Sequence, residues 1–207
     1  MSKKLANFLS YLFHPGIMPT ALLATLYFVC PYIIGIDGST VKAKLILLAF
    51  VFAYTLFFPS LMVFWLYKRK TIESIKLEKL SDRRFPYLFS IISSGFLSYF
   101  LYQKGPQLQG TAIVIGFIAV TILIIALISL KWQISAHSAG IGGLIGAFFM
   151  LKFRYDEMSL NTPFFLALIV AGLILSSRLK LNAHTLFQVI AGLLVGIIIS
   201  TLGSIFI

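Results

Sequence analysis

The chain has 207 residues, of which 59% are hydrophobic and only 11% are charged, and its mean hydropathy is +0.99. About a quarter of the residues in a soluble globular domain are charged, so this composition excludes a water-soluble fold. The formal net charge of +11 does not indicate binding to nucleic acid, because the basic residues lie between apolar runs and form no surface stripe.

The apolar runs, taken in chain order, predict an all-α polytopic transmembrane bundle of six to seven helices. Residues 1–14 hold two lysines and an apolar patch without a small-residue cleavage site, which predicts a retained interfacial helix. Several later runs approach or exceed the ~20 residues that cross about 30 Å of hydrocarbon. The predicted segments cover residues 17–36, 45–67, 87–102, 111–130, 139–151, 164–177 and 186–207.

Two of these segments, 139–151 and 164–177, are short for a complete crossing. At ~1.5 Å per residue they cover only about 20 Å. Either polar residues beside them dip below the lipid headgroups or the bilayer thins locally.

Small residues recur at a spacing of four in two of the segments. The pairs are Gly142 with Gly146 and Gly192 with Gly196. Such small-xxx-small patterns permit close helix packing within one chain or between copies, and ordinary tolerance of glycine in membrane helices explains them equally well. The oligomeric state is therefore left open.

The most polar stretch is a basic loop at residues 68–86, with seven basic and three acidic side chains. If all seven segments cross the membrane, this loop shares one side with the N-terminus and with residues 131–138 and 178–185. That side carries twelve of the seventeen cations, so the positive-inside rule predicts that it is cytoplasmic. We predict a multi-pass protein of the cell membrane whose residues 1–207 form a single transmembrane domain.

Ionisable residues beside apolar spans are costly to keep there, so a functional role is their default interpretation. Three clusters lie on the predicted cytoplasmic side. They are Lys76 with Arg83, Arg84 and Pro86; Ser135 with His137; and Ser177 with Arg178, His184 and Gln188. Each cluster alone is weak, because basic loops commonly set topology and histidines at helix ends are commonly capped or solvated.

Together and in this order, the clusters resemble the tripartite signature of the type 2 phosphatidic acid phosphatase superfamily of membrane lipid phosphatases. The family pattern is KxxxxxxRP, then PSGH, then SRxxxxxHxxxD, and the resemblance runs from about Lys76 to Gly192. It implies that His184 is the nucleophile that forms a phosphohistidine and that His137 is the general acid that protonates the leaving oxygen. The ligands that it implies for the phosphoryl oxygens are Lys76, Arg83, Arg178 and Ser135.

These residue types suit phosphoryl transfer, which spreads negative charge over three equatorial oxygens that preorganised cations stabilise. Arginine adds a bidentate fork, and histidine titrates near neutrality, so one imidazole can attack while another donates a proton. The implied substrate is a membrane lipid phosphate or diphosphate bound at the bilayer. No metal, cofactor or nucleic acid is implied.

Three positions depart from the family pattern. Arg84 and Phe85 are inserted before the proline, so either Arg83 or Arg84 is the phosphate ligand. The second motif reads ISAH, which keeps the serine and the histidine but loses the pre-set turn. Gln188 replaces the aspartate that orients the nucleophilic histidine, and a neutral amide accepts a hydrogen bond without supplying a charge.

Two other functions stay open at this point. A catalytically weakened homologue would bind or translocate an anionic lipid, and Gln188 is the main support for it. A metal or haem site would use His14, His137 and His184, but their spacing matches no compact ligand set and nearby cations repel a metal. The sequence does not identify the lipid, because phosphatidate, phosphatidylglycerol phosphate, polyprenyl diphosphates and lipid A phosphates all fit a basic pocket.

Overall fold

The computed structural model describes residues 1–77 and 79–207, and every regular element among them is helical. Seven stretches of the described residues are long and apolar enough to cross a bilayer, so the chain is a multi-pass membrane protein. The predicted all-α transmembrane fold is confirmed. The described α-helices are α1 Lys3–Leu12, α2 Met18–Val29, α3 Val41–Phe52, α4 Phe58–Lys68, α5 Arg84–Tyr102, α6 Pro106–Ile128, α7 Ala136–Tyr155, α8 Asn161–Lys180 and α9 Leu186–Ser204.

The N-terminal helix α1 is separate from α2. Ser2 caps its start by accepting the N–H of Leu5 at 3.2 Å, and Phe13 and His14 leave the helical conformation at its end. Its inner face is buried against α8. The apolar side chains exposed on its other face are Leu5, Phe8, Tyr11 and Leu12. An exposed apolar face of this kind suits a helix that lies in the bilayer interface.

The second crossing consists of α3 and α4, which continue into each other through a π-helical turn at Ala53–Phe57. Pro59 has no N–H to donate to the carbonyl of Thr55, so regular α-helical bonding cannot run through this turn. The hydroxyl of Thr55 donates to the carbonyl of Gly16 at 3.0 Å. This contact ties the turn to the segment that follows α1.

Helices α7 and α8 each contain 20 residues, which cover about 30 Å and therefore a full bilayer core. Both extend beyond the apolar runs 139–151 and 164–177 into the polar residues on either side. Of the two explanations for these short runs, helix extension accounts for the span and no thinning of the bilayer is needed.

Helices α7 and α9 pack in close contact along their glycines. A methyl group on Gly142 would overlap the carbonyl oxygen of Leu193, and one on Gly196 would overlap that of Ala139. Gly146 and Gly192 meet backbone carbonyls of the facing helix in the same way. Both small-xxx-small patterns therefore serve a contact within the chain, and this contact fixes the start of α7 beside the start of α9.

Candidate active site

Segments that are far apart in the chain meet at one end of the bundle. The loop before α5, the start of α7, the end of α8 and the start of α9 all contribute. Arg83 Nη1 donates to the carbonyl of Ile134 at 3.3 Å, and the N–H of Ser135 donates to the carbonyl of Gln188 at 3.2 Å. These bonds bring the three sequence clusters to a common place.

His184 precedes α9, and its ring is fixed by the main chain of the loop before α7. Its Nδ1 lies 2.9 Å from the carbonyl oxygen of Gln133. A carbonyl oxygen can only accept, so Nδ1 carries the hydrogen and Nε2 keeps its lone pair. The imidazole is therefore held in the tautomer that keeps a lone pair on Nε2.

The surroundings of His184 keep it uncharged. Burial lowers its pKa to about 4, and the positive charges of Arg178 and Arg83 act in the same direction, while the Gln133 carbonyl and the Gln188 side chain oppose them. At neutral pH the imidazole is consequently neutral and nucleophilic.

Gln188, predicted to orient the nucleophile, has a second task in the fold. Its Oε1 accepts the N–H of Thr185 at 3.0 Å, and its own N–H donates to Thr185 Oγ1 at 3.4 Å, which forms a capping box at the start of α9. Its amide oxygen is used there, whereas the Gln133 carbonyl oxygen lies 2.9 Å from Nδ1 of His184. Sequence reasoning missed Gln133 because a main-chain carbonyl carries no residue-type signal.

The structure distinguishes the two neighbouring arginines of the first cluster. Arg83 is only 7% exposed and also donates from Nε to the carbonyl of Leu77 at 2.8 Å, whereas Arg84 is exposed. Lys76 has an exposed side chain one residue before Leu77. Of the three candidate cations, Arg83 is the one whose charge acts on His184.

The second cluster forms the N-terminus of α7. Ser135 is fully buried at the N-cap, where its Oγ accepts the N–H of Ser138 at 3.3 Å and the hydroxyl of Ser138 at 2.9 Å. His137 lies one residue later on the first turn. A helix N-terminus carries a partial positive charge and free N–H groups, so this location suits a bound anion.

Arg178 lies in the last turn of α8, within electrostatic range of His137, His184 and Arg83. Its Nε is buried and has no hydrogen-bond partner among the described residues. In residues 1–77 and 79–207, the one ion pair joins exposed Lys79 and Glu73 and includes neither Arg83 nor Arg178. Buried cations without a counter-charge are costly, so an anion bound at this cluster would stabilise it.

Two residues of the N-terminal segment also reach the site. The carbonyl of Ser10 lies 3.1 Å from His137 Nε2, and its hydroxyl accepts a hydrogen bond from Arg178 Nη1 at 3.3 Å. The His14 ring contacts the His137 ring at a centroid distance of 5.8 Å. Ser10 has no sequence signal, and His14 entered only through the metal alternative.

That metal alternative gains no support from the geometry. Over the described part of the chain, no three His, Cys, Asp or Glu side chains are placed to hold a metal ion. His14 instead uses Nδ1 to accept the N–H of Gly16 at 3.1 Å.

Comparison with known proteins identifies one family. A family model described as the PAP2 superfamily matches residues 129–207, which include Ser135, His137, Arg178 and His184. No curated protein and no solved structure gave a significant match. The superfamily consists generally of phosphatases, so the match supports a phosphatase-type function. Over residues 129–207, the chain is similar to the PAP2 superfamily.

Proposed function

We propose that the chain is a membrane-embedded phosphatase that hydrolyses a lipid phosphate or diphosphate through a phosphohistidine at His184, without a metal ion. One observation carries the proposal. The Gln133 carbonyl holds Nδ1–H of His184, so a neutral ring with a lone pair on Nε2 lies within electrostatic range of Arg83 and Arg178. An uncharged nucleophile next to two guanidinium groups is what attack on a phosphorus centre requires.

In the first step, Arg83, Arg178 and the N-terminus of α7 bind the phosphoryl oxygens. Nε2 of His184 forms a bond to phosphorus while the bond from phosphorus to the lipid oxygen breaks. The negative charge of the bound phosphoryl group favours the charged form of the buried His137 ring. Protonated His137 then gives its proton to the departing oxygen, which leaves as an alcohol or a monophosphate. Because His137 Nε2 is paired with the Ser10 carbonyl, Nδ1 is the nitrogen that donates.

In the second step, water attacks the phosphorus of the phosphohistidine. The neutral His137 accepts a proton from this water, and the bond between Nε2 and phosphorus breaks. Inorganic phosphate leaves, while His184 returns to its neutral form and His137 to its protonated form. The arginines stabilise the equatorial oxygens in both steps, since the charge there is similar.

A lipid substrate is supported by the surroundings of Arg83. A groove of about 230 Å³ between α5 and α6 has Arg83 and Arg84 in its lining. The rest of its lining is mainly apolar, including Leu88, Leu123 and Leu127. Such a groove suits an acyl or prenyl chain whose phosphate lies at Arg83. By its cation count, we place this side of the protein on the cytoplasmic face of the cell membrane.

The test measures phosphate release by the purified protein in detergent with a chelator, on phosphatidate, phosphatidylglycerol phosphate, a polyprenyl diphosphate and a lipid A phosphate. We expect turnover of at least one of them. Brief reaction with the ³²P-labelled substrate should label the protein through a bond that is labile in acid and stable in alkali, as expected for phosphohistidine. Absence of turnover on the whole panel, or an acid-stable label, would contradict the proposal.

The weakened homologue is the second candidate, because Gln188 lacks the charge of the family's aspartate. With Gln133 already orienting His184, we expect Gln188→Asp to change kcat/KM less than about tenfold. The added carboxylate should raise the pKa of His184 above about 4, so the acidic limb of kcat/KM moves to higher pH.

Gln188→Glu is the matched control for this change, since it adds the charge but keeps the length used in the capping box. In the serine protease precedent an amide in place of the orienting aspartate costs ~10⁴ in rate. A rise in turnover of more than about 100-fold in Gln188→Asp would therefore favour the weakened homologue.

A further inference from the structure

The N-terminal segment lies outside the matched residues 129–207, yet it forms one wall of the candidate site. Ser10 contributes a carbonyl to His137 and a hydroxyl to Arg178. Its hydroxyl also donates to the carbonyl of Ala6 at 2.9 Å, so α1 holds it in place. Two side chains with proposed roles in phosphoryl transfer are thus oriented by residues that no motif contains.

His14 is also restrained by its neighbours. Its Nδ1 accepts the N–H of Gly16, whose carbonyl in turn accepts the hydroxyl of Thr55. On the other side, a methyl group on Gly140 of α7 would lie 3.3 Å from the Cα of Pro15. The segment after α1 is therefore packed between α7 and the π-helical turn, which leaves the His14 ring little freedom to move.

The hydrogen bond from Gly16 also sets the proton of His14. A main-chain N–H always donates, so Nδ1 must keep its lone pair, and the ring carries its hydrogen on Nε2. His14 is consequently neutral while this bond is made, which suits its place near the charge of Arg178. It is available as an uncharged packing partner.

That partner is His137. The two rings lie nearly perpendicular, at 76°, with centroids 5.8 Å apart. Edge-to-face aromatic contacts at such distances are favourable and restrict the plane of each ring. The Ser10 carbonyl fixes one nitrogen of His137, but the imidazole can still rotate about the axis of this single hydrogen bond. The His14 ring limits that rotation.

We propose that His14 is a positioning residue for the general acid, holding the His137 ring so that Nδ1 points at the leaving oxygen. This inference rests on the proposed function. Since a displacement of about 1 Å in a reacting group can cost ~10²-fold in rate, the contact is worth a measurable part of the acid catalysis.

The experiment compares wild type with His14→Asn on two substrates. Asparagine is a good N-cap and can still accept the N–H of Gly16, but it removes the ring from His137. One substrate is an alkyl lipid phosphate, whose poor leaving group needs the proton, and the other is p-nitrophenyl phosphate, whose leaving group departs without it. We expect kcat/KM to fall about tenfold or more on the alkyl substrate and less than about threefold on the aryl one.

Activity on the aryl phosphate also measures how much protein is folded and competent, so a folding defect cannot imitate the expected pattern. Equal losses on both substrates, or no loss on either, would overturn the positioning role. His137→Ala is the reference and should show the same dependence on leaving group with a larger loss on the alkyl substrate. If the activity loss in His137→Ala does not depend on the leaving group while wild type is active, His137 is not the general acid. The positioning role of His14 then fails as well.

Discussion

Replacing His184 by alanine should lower phosphate release at least ~10³-fold and abolish the ³²P-labelled intermediate. The reason is that His184 supplies the lone pair that forms the bond to phosphorus, whereas Arg83 and Arg178 can bind the phosphoryl group but cannot form the covalent bond. Removal of a nucleophile leaves only the stabilisation that the remaining site provides, which is small by comparison. Phosphate release and covalent labelling are measured on the same preparation.

Lys180→Ala is the matched control for this variant. Lys180 is an exposed cation two residues beyond Arg178, at the same end of the bundle. Its removal should change turnover by less than about twofold, since exposed charges contribute little. A His184→Ala protein that still turns over at more than about a tenth of the wild-type rate would show that another group is the nucleophile.

The transmembrane segments could be predicted from the sequence because bilayer thickness fixes the length of an apolar run. The exact ends of α7 and α8 could not be predicted in this way. His137 at the start of α7 and Arg178 at the end of α8 are polar residues that continue the helix near the headgroups, where hydropathy falls but helical hydrogen bonding does not. The apolar runs 139–151 and 164–177 therefore cover only the middle of each helix, and flanking polar residues complete the crossing.

The meeting of Ser135, His137, Arg178 and His184 at one end of the bundle could also be predicted, because seven crossings put the segments that carry them on one side of the membrane. Which of Arg83 and Arg84 is buried could not be predicted, because this depends on how the short 3₁₀ turn at Ser81–Arg83 leads into α5. The carbonyls of Gln133 and Ser10 were beyond prediction, because any residue type supplies a carbonyl and only the folded chain brings it to a histidine.

The close contact between α7 and α9 leads to the second large effect. Gly142→Ala should reduce kcat/KM about 100-fold and lower the Tm. Its methyl group would overlap the Leu193 carbonyl, and since carbon and oxygen need about 3.3 Å, the helices must separate by about 1 Å. Overpacking of this kind costs about 1–3 kcal/mol. Kinetics and thermal unfolding in the same detergent measure both consequences.

The adjacent Gly143→Ala is the control, because a methyl group there has no heavy atom within 4 Å outside its chain neighbours and the backbone of its own helix. It should keep full activity and gain about 0.5–1 kcal/mol from the lower helix propensity of glycine. His137 lies in the first turn of α7 and His184 lies just before α9, so separation of these helices moves the two imidazoles apart. A displacement of about 1 Å between reacting groups can lower the rate ~10²-fold. If Gly142→Ala lost stability but kept its kcat/KM, the loops that carry the histidines would be positioned by their own hydrogen bonds to Ser10 and Gln133 and not by helix packing.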